Sequence, residues 1–169
     1  SYPYVKITVN EKWPRILVTR NIRRDDGAKY FGPFTDVGSL RKTLSLIRRL
    51  YPIRTCRSMK VSRPCLQYHM NLCCAPCWNH CTEEQYHEYV VKTCDLFEGK
   101  NTELVKALQK DMESASEEMN FERAAVLRDQ LHAVQSVQQR QNIVSKEGDF
   151  DVVGMSRLDE HAGLEIFYI

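Results

Sequence analysis

At 169 residues, 43% hydrophobic and 27% charged, the chain suits one ordinary domain or two or three small modules; a largely disordered polymer is excluded, as is a membrane span, since no apolar run approaches the ~20 residues one needs. Its net charge of +2 conceals a split: residues 1–65 carry 15 Lys and Arg against 4 Asp and Glu, residues 66–169 carry 9 against 18, so the first part has the electrostatics of a polyanion binder and the second does not. Seven cysteines with no secretion-signal pattern at the start argue against a disulfide framework, and the expectation is metal binding or redox chemistry in a cytoplasmic protein.

Tyr4-Val-Lys-Ile-Thr-Val9 and Arg15-Ile-Leu-Val-Thr-Arg20 alternate at period two around Asn10-Glu-Lys-Trp-Pro14, which predicts a β-hairpin. A polar turn at 23–27 and the compact Tyr30-Phe-Gly-Pro-Phe34 follow. Asp36 is placed to cap a helix running to about Leu50. Leu40, Leu44 and Ile47 form its apolar face, and Arg41, Lys42, Arg48 and Arg49 its basic one. Pro52 ends it. Residues 1–53 thus read as a basic β-hairpin and helix region.

Residues 54–81 hold six of the seven cysteines and little periodicity, so something other than a hydrophobic core organises them. The candidate metal ligands are Cys56, Cys65, Cys73 and Cys77. Four thiolates from one irregular loop suit tetrahedral zinc and an iron–sulfur cluster alike. The long, uneven spacing leans toward the bulkier cluster, since zinc ribbons bring two close Cys pairs. Cys74 with Cys77 is also a sensible pair, and His69 or His80 could replace a thiolate. Arg54, Arg57 and Arg63 lie among the cysteines, where positive charge favours thiolates. Thr82-Glu-Glu-Gln85 is a capping box that opens a helix to about Glu98, before Gly99; Cys94 within it reads as packing. Residues 54–100 form the second region.

Two further helices are predicted at about 102–118 and 121–141, with Asn120 placed to cap the second. Leu104, Leu108, Met112, Ala115 and Met119 mark one face of the first; Phe121, Ala124, Leu127, Leu131 and Val134 mark the second. Residues 101–142 therefore form a helical hairpin, for which self-packing and partner binding are equally open. Residues 143–169 add a polar linker and two strands, about 151–156 and 163–169. A strand running to the last residue would leave an unpaired edge, so the chain is expected to be a piece of something longer. The fold class is α+β.

Glu117-Glu-Met-Asn-Phe-Glu-Arg-Ala-Ala-Val-Leu-Arg-Asp129 is similar to the UVR motif shared by the excinuclease proteins UvrB and UvrC. Ser1-Tyr-Pro-Tyr-Val-Lys, Tyr30-Phe-Gly-Pro-Phe, Leu50-Tyr-Pro-Ile-Arg-Thr-Cys56, Arg63-Pro-Cys-Leu-Gln-Tyr68 and Cys73-Cys-Ala-Pro-Cys77 follow in the order found in UvrC proteins. The chain thus resembles the middle of the UvrC excinuclease family over essentially its whole length. The resemblance implies a nucleotide excision repair protein that cuts a damaged strand on both sides of a lesion. Its two divalent-metal sites, amino-terminal GIY-YIG and carboxy-terminal RNase H-like, fall outside this stretch. No catalytic residue is therefore assigned, and Asp149, Asp151, Asp159 and Glu160 are read as flanking a strand and its turn.

The resemblance also implies that the UVR hairpin docks on the matching hairpin of UvrB. Phe121 would be the apolar anchor, with Met119 beside it and Glu122, Arg123, Arg128 and Asp129 as its charged surround. The family's four-Cys element, which holds a [4Fe-4S] cluster in some members, maps to Cys56, Cys65, Cys73 and Cys77. Cys74 falls where an apolar residue is common, which leaves the third ligand open. Arg41, Lys42, Arg48, Arg49, Arg54 and Arg57 are the candidates for phosphate contacts to damaged double-stranded DNA. The rival class is a zinc-binding regulatory adaptor with a UVR motif, like the activator of a bacterial protein-arginine kinase. Such proteins carry several CxxC pairs, whereas here only Cys74 and Cys77 have that spacing.

Overall fold

The computed structural model describes residues 2–141 and the strands Asp151–Leu158 and His161–Tyr168, with side chains described for residues 2–137. The expected hairpin is present: β1 (Tyr4–Ile7) runs antiparallel to β2 (Ile16–Thr19), with Tyr4 opposite Thr19 and Ile7 opposite Ile16. A third strand, β3 (Lys29–Phe31), pairs on the other side of β1 and gives the order β2-β1-β3. Three residues are too few to show a period, which is why β3 has no sequence signature. Strand alternation sends Val5, Ile7 and Ile16 inward, each at most 1% exposed.

Two features shape the approach to β3. Asp26 pairs with Lys6 and accepts from the Tyr30 hydroxyl and the Ala28 N–H; the Lys6 ammonium first, then Tyr30, hold its carboxyl down at about 2. Gly32 sits at φ +131°, and a Cβ there would lie 3.0 Å from the Phe34 ring. Only glycine lets the chain turn this closely while Phe34 enters the core.

Helix α1 (Val37–Leu50) begins where Asp36 accepts from the N–H groups of Gly38 and Ser39. Leu40, Leu44 and Ile47 are buried as expected, but so is Arg48. Eight residues beyond Leu40, Arg48 returns to the apolar stripe and belongs to the core-facing side of the helix, not to its basic face. The cysteine-bearing segment holds only a short helix, α2 (Leu66–His69), and a 3₁₀ turn at Pro76–Trp78.

Helix α3 (Glu83–Phe97) opens on a complete capping box between Thr82 and Gln85. It closes with Gly99 at φ +80°, whose N–H and that of Lys100 bond back to Leu96 and Asp95. Helices α4 (Thr102–Glu117) and α5 (Phe121–Gln141) form the antiparallel hairpin. Stretches 1–53, 54–100 and 101–142 read as separate regions in the sequence, yet one hydrophobic core runs through them. It joins Val5, Ile7 and Leu40 to Tyr86, Phe97, Leu108, Leu131, Val134 and Val137. Phe97 stacks on Phe31 with ring centres 5.2 Å apart, and Trp13 meets Tyr86 edge-on at 5.2 Å.

Strands β4 (Asp151–Leu158) and β5 (His161–Tyr168) pair antiparallel, with Asp151 opposite Tyr168 and Leu158 opposite His161. The polar linker at 145–149 and the carboxylates Asp159 and Glu160 lie outside the described residues.

Candidate metal centre and interaction surfaces

The loop that carries the cysteines is fastened at its start by Arg54, which is 4% exposed. Its guanidinium donates to the Trp13 carbonyl (2.8 Å), the Cys56 carbonyl (2.7 Å) and Glu11 (2.7 Å). Its backbone N–H donates to the Tyr86 hydroxyl at 3.0 Å, and its carbonyl accepts from Ile16 N–H at 3.0 Å. One residue thus ties β2, the hairpin connection, α3 and the first cysteine together.

Beyond Arg54 the loop doubles back and brings Cys56 and Cys65 within electrostatic reach of both Cys73 and Cys77. Cys73 is buried, Cys77 half-buried, and Cys56 and Cys65 exposed. Burial above all, with Cys56 and Cys65 adding to it, pushes the Cys73 thiol up to about 11 against the lowering by the Ala75 backbone and Arg48. Cys77 is likewise raised by burial and then by Cys56 and Cys65. Cys74 points elsewhere: its sulfur lies 2.6 Å from that of Cys81. Cys56 and Cys65 thus act on both Cys73 and Cys77, while Cys74 feels Cys81 and Cys73. Among the described residues, no three His, Cys, Asp or Glu side chains close onto a point that could hold a single ion.

The cation facing these thiols is one that sequence reasoning placed on the wrong surface. Arg48 Nε donates to the Ile53 carbonyl (2.9 Å) and Nη1 to Gln67 (3.0 Å), while its buried Nη2 has no partner among the described residues. Burial lowers its pKa; Cys73, Tyr86, Cys56 and Cys65 pull it back up. A buried guanidinium nitrogen without a partner among the described residues thus lies in the field of three thiols, Cys73, Cys56 and Cys65.

Arg48 and Arg54 are thus engaged with internal partners, and neither guanidinium is free for a phosphate. Arg41, Lys42, Arg49 and Arg57 are exposed. They belong to a stretch, residues 37–82, that contains eight Lys and Arg and no Asp or Glu. Lys60 and Arg63 are exposed within it too.

The hairpin turn presents the other surface. Helix α4 ends with Met119 at φ +59°, its N–H bonded to Ser116 and that of Asn120 to Ala115. This is the bond pattern that Gly99 completes after α3, here with a residue for which the left-handed conformation carries a steric cost. Asn120 then caps α5, its side chain accepting from Arg123 N–H at 3.2 Å. Met119 and Phe121 stand 75% and 64% exposed, with Glu122, Arg123, Arg128 and Asp129 exposed around them. Toward the base the same hairpin is buried at Leu108, Leu131, Val134 and Val137. Self-packing and an open apolar tip coexist on one hairpin.

Residues 2–96 match the family model described as the UvrC/Cho excinuclease middle domain, and residues 102–137 match the UvrB/uvrC motif. The UvrABC system protein C of Moorella thermoacetica is 47% identical over 172 residues, covering 99% of this chain and 28% of that protein. Those of Caldanaerobacter subterraneus subsp. tengcongensis and Thermoanaerobacter sp. strain X514 are 42% and 41% identical, each covering 100% of this chain and 28% of the relative. The chain therefore spans about 28% of the length of these curated relatives. No solved structure matches it.

Proposed function

Because the chain belongs to the UvrC excinuclease family, we propose that it is the non-catalytic central part of an excision-repair endonuclease, holding the damaged duplex and UvrB in place for dual incision. The observation that carries this reading is the acid-free stretch at 37–82, which keeps six of its eight cations exposed on the loop and helix that also gather four thiols. The regulatory-adaptor alternative is not favoured, since the middle-domain match spans the β-sheet, α1 and the cysteine loop.

Cys56, Cys65, Cys73 and Cys77 would hold a [4Fe-4S] cluster. The long, uneven spacing of these four cysteines suits a bulky polynuclear cluster better than a single tetrahedral zinc, which usually takes two close Cys pairs. Such a cluster supplies a compact, net-negative cross-link for a loop that has no hydrophobic core of its own. Arg48 would offset part of that charge through its unpartnered Nη2. Arg54 fixes where Cys56 enters. The exposed apolar tip at Met119 and Phe121, ringed by both signs of charge, suits docking on the corresponding hairpin of UvrB.

Binding of the chain to a fluorescent duplex should weaken steeply with salt, the logarithm of affinity falling linearly with that of salt concentration. Replacing Arg41, Lys42 and Arg49 with alanine should lower affinity uniformly across sequences and reduce the salt slope by about 1 for each phosphate no longer neutralised. Affinity that is unchanged between roughly 50 and 200 mM salt would contradict DNA contact by this face.

A further inference from the structure

Cys56 and Cys65 act on Cys73 and Cys77, the four proposed as ligands, and Cys94 is buried in α3. Cys74 and Cys81 remain, with their sulfurs 2.6 Å apart. The backbone between them explains the approach. Ala75 (φ +50°) and Asn79 (φ +56°) are both left-handed and bracket the 3₁₀ turn, and His80 N–H donates to the Ala75 carbonyl at 3.3 Å. Each end is also held from outside the turn. Cys74 N–H donates to the Pro52 carbonyl at 3.1 Å, and Cys81 immediately precedes Thr82, the cap of α3. The turn therefore presses together two half-buried sulfurs that belong neither to the four-thiol set nor to a helix core.

We infer that Cys74 and Cys81 form a reversible dithiol–disulfide couple, a redox modification site separate from the four-thiol set, which closes the turn carrying Cys77. The oxidant class is a small-molecule disulfide such as oxidised glutathione. One protein thiol gives its proton to water, and its sulfur attacks the oxidant, whose S–S bond breaks and releases one small thiol. The second protein sulfur, losing its own proton, attacks the mixed disulfide and releases the second small thiol as the Cys74–Cys81 bond forms. Two protein thiols are oxidised and one small disulfide is reduced to two thiols. The sulfurs need only a short further approach to reach the bonded separation of about 2.0 Å. The inference does not rest on the metal reading, because the pairing geometry involves none of Cys56, Cys65, Cys73 and Cys77.

The test equilibrates the whole chain with oxidised glutathione or with dithiothreitol, blocks free thiols by alkylation and digests with chymotrypsin, which cuts after Trp78 between the two cysteines. Linked fragments are then sequenced by mass spectrometry. The expected result is a Cys74–Cys81 link in the oxidised sample, absent after dithiothreitol, lost in Cys74→Ala and Cys81→Ala, and kept in Cys77→Ala. A rise of several degrees in the unfolding temperature of the oxidised chain should accompany it. Cys81 joined instead to Cys73 or Cys77, capture of glutathione without a protein link, or both thiols left free would each overturn the couple.

Discussion

Phe121→Asp should lower the affinity of this chain for UvrB by about a hundredfold or more, the loss expected when an interface anchor is replaced by a charge. Phe121 is 64% exposed, so nothing in the chain's own core depends on it, and folding stability should stay within about 0.5 kcal/mol of the parent. The substitution even suits the helix, because Phe121 is the first residue of α5 and an acid there meets the positive end of the helix dipole. Titration of UvrB against the two chains, with circular dichroism as the check on folding, separates the effects. Unchanged helicity with lost binding is the expected pair of results; retained binding would remove Phe121 from the interface. The strained Met119 at φ +59° supports the same surface, since an apolar side chain in the left-handed position after α4 gains the fold nothing that glycine would not.

Arg54→Met should destabilise the fold by about 3 kcal/mol, because it removes a buried cation and takes its donors from the Trp13, Cys56 and Arg57 carbonyls, while Glu11 keeps only Arg15. A larger loss is not expected, because Glu11, the ion-pair partner, keeps about a third of its side chain in water. For a chain of this size the loss corresponds to a fall of roughly 6–12 °C in the unfolding temperature. Arg57→Met, three residues on and exposed, should stay within about 0.5 kcal/mol of the parent. Thermal or urea unfolding of the two variants side by side decides the point. Equal stability would mean that Arg54 does not clamp the cysteine loop to the β-hairpin.

What could be read from the sequence was what is local. The Asp36 cap, the Thr82–Gln85 capping box, the Gly99 helix stop and the Asn120 cap each depend on residues within a few positions, and all four are present. The α+β class and the first hairpin follow from periodicity. β3 was hidden because three residues cannot show alternation. Arg48 is different, since its signal was there: it falls eight residues after Leu40, on the stripe that Leu44 and Ile47 define, but its charge suggested the solvent face. Nothing local marks Arg54, whose partners at Trp13, Glu11 and Tyr86 lie far off in sequence. Nor could spacing show that Cys74 approaches Cys81. Adjacent residues point in different directions only once the backbone is known, and here left-handed Ala75 turns the chain so that Cys74 meets Cys81. The continuous core beneath 1–53, 54–100 and 101–142 was equally unreadable, because burial between distant helices leaves no mark at either one.

The central claim is that Cys56, Cys65, Cys73 and Cys77 hold an iron–sulfur cluster. The chain purified without oxygen and assayed together for iron, zinc and thiolate-to-iron absorbance tests it most directly. The expected result is a brown protein with about four irons per chain, whose colour and iron are lost together when any of the four cysteines becomes serine and are kept in Cys74→Ala. Colourless protein with one equivalent of zinc, or iron that survives removal of Cys73 but not of Cys74, would contradict it.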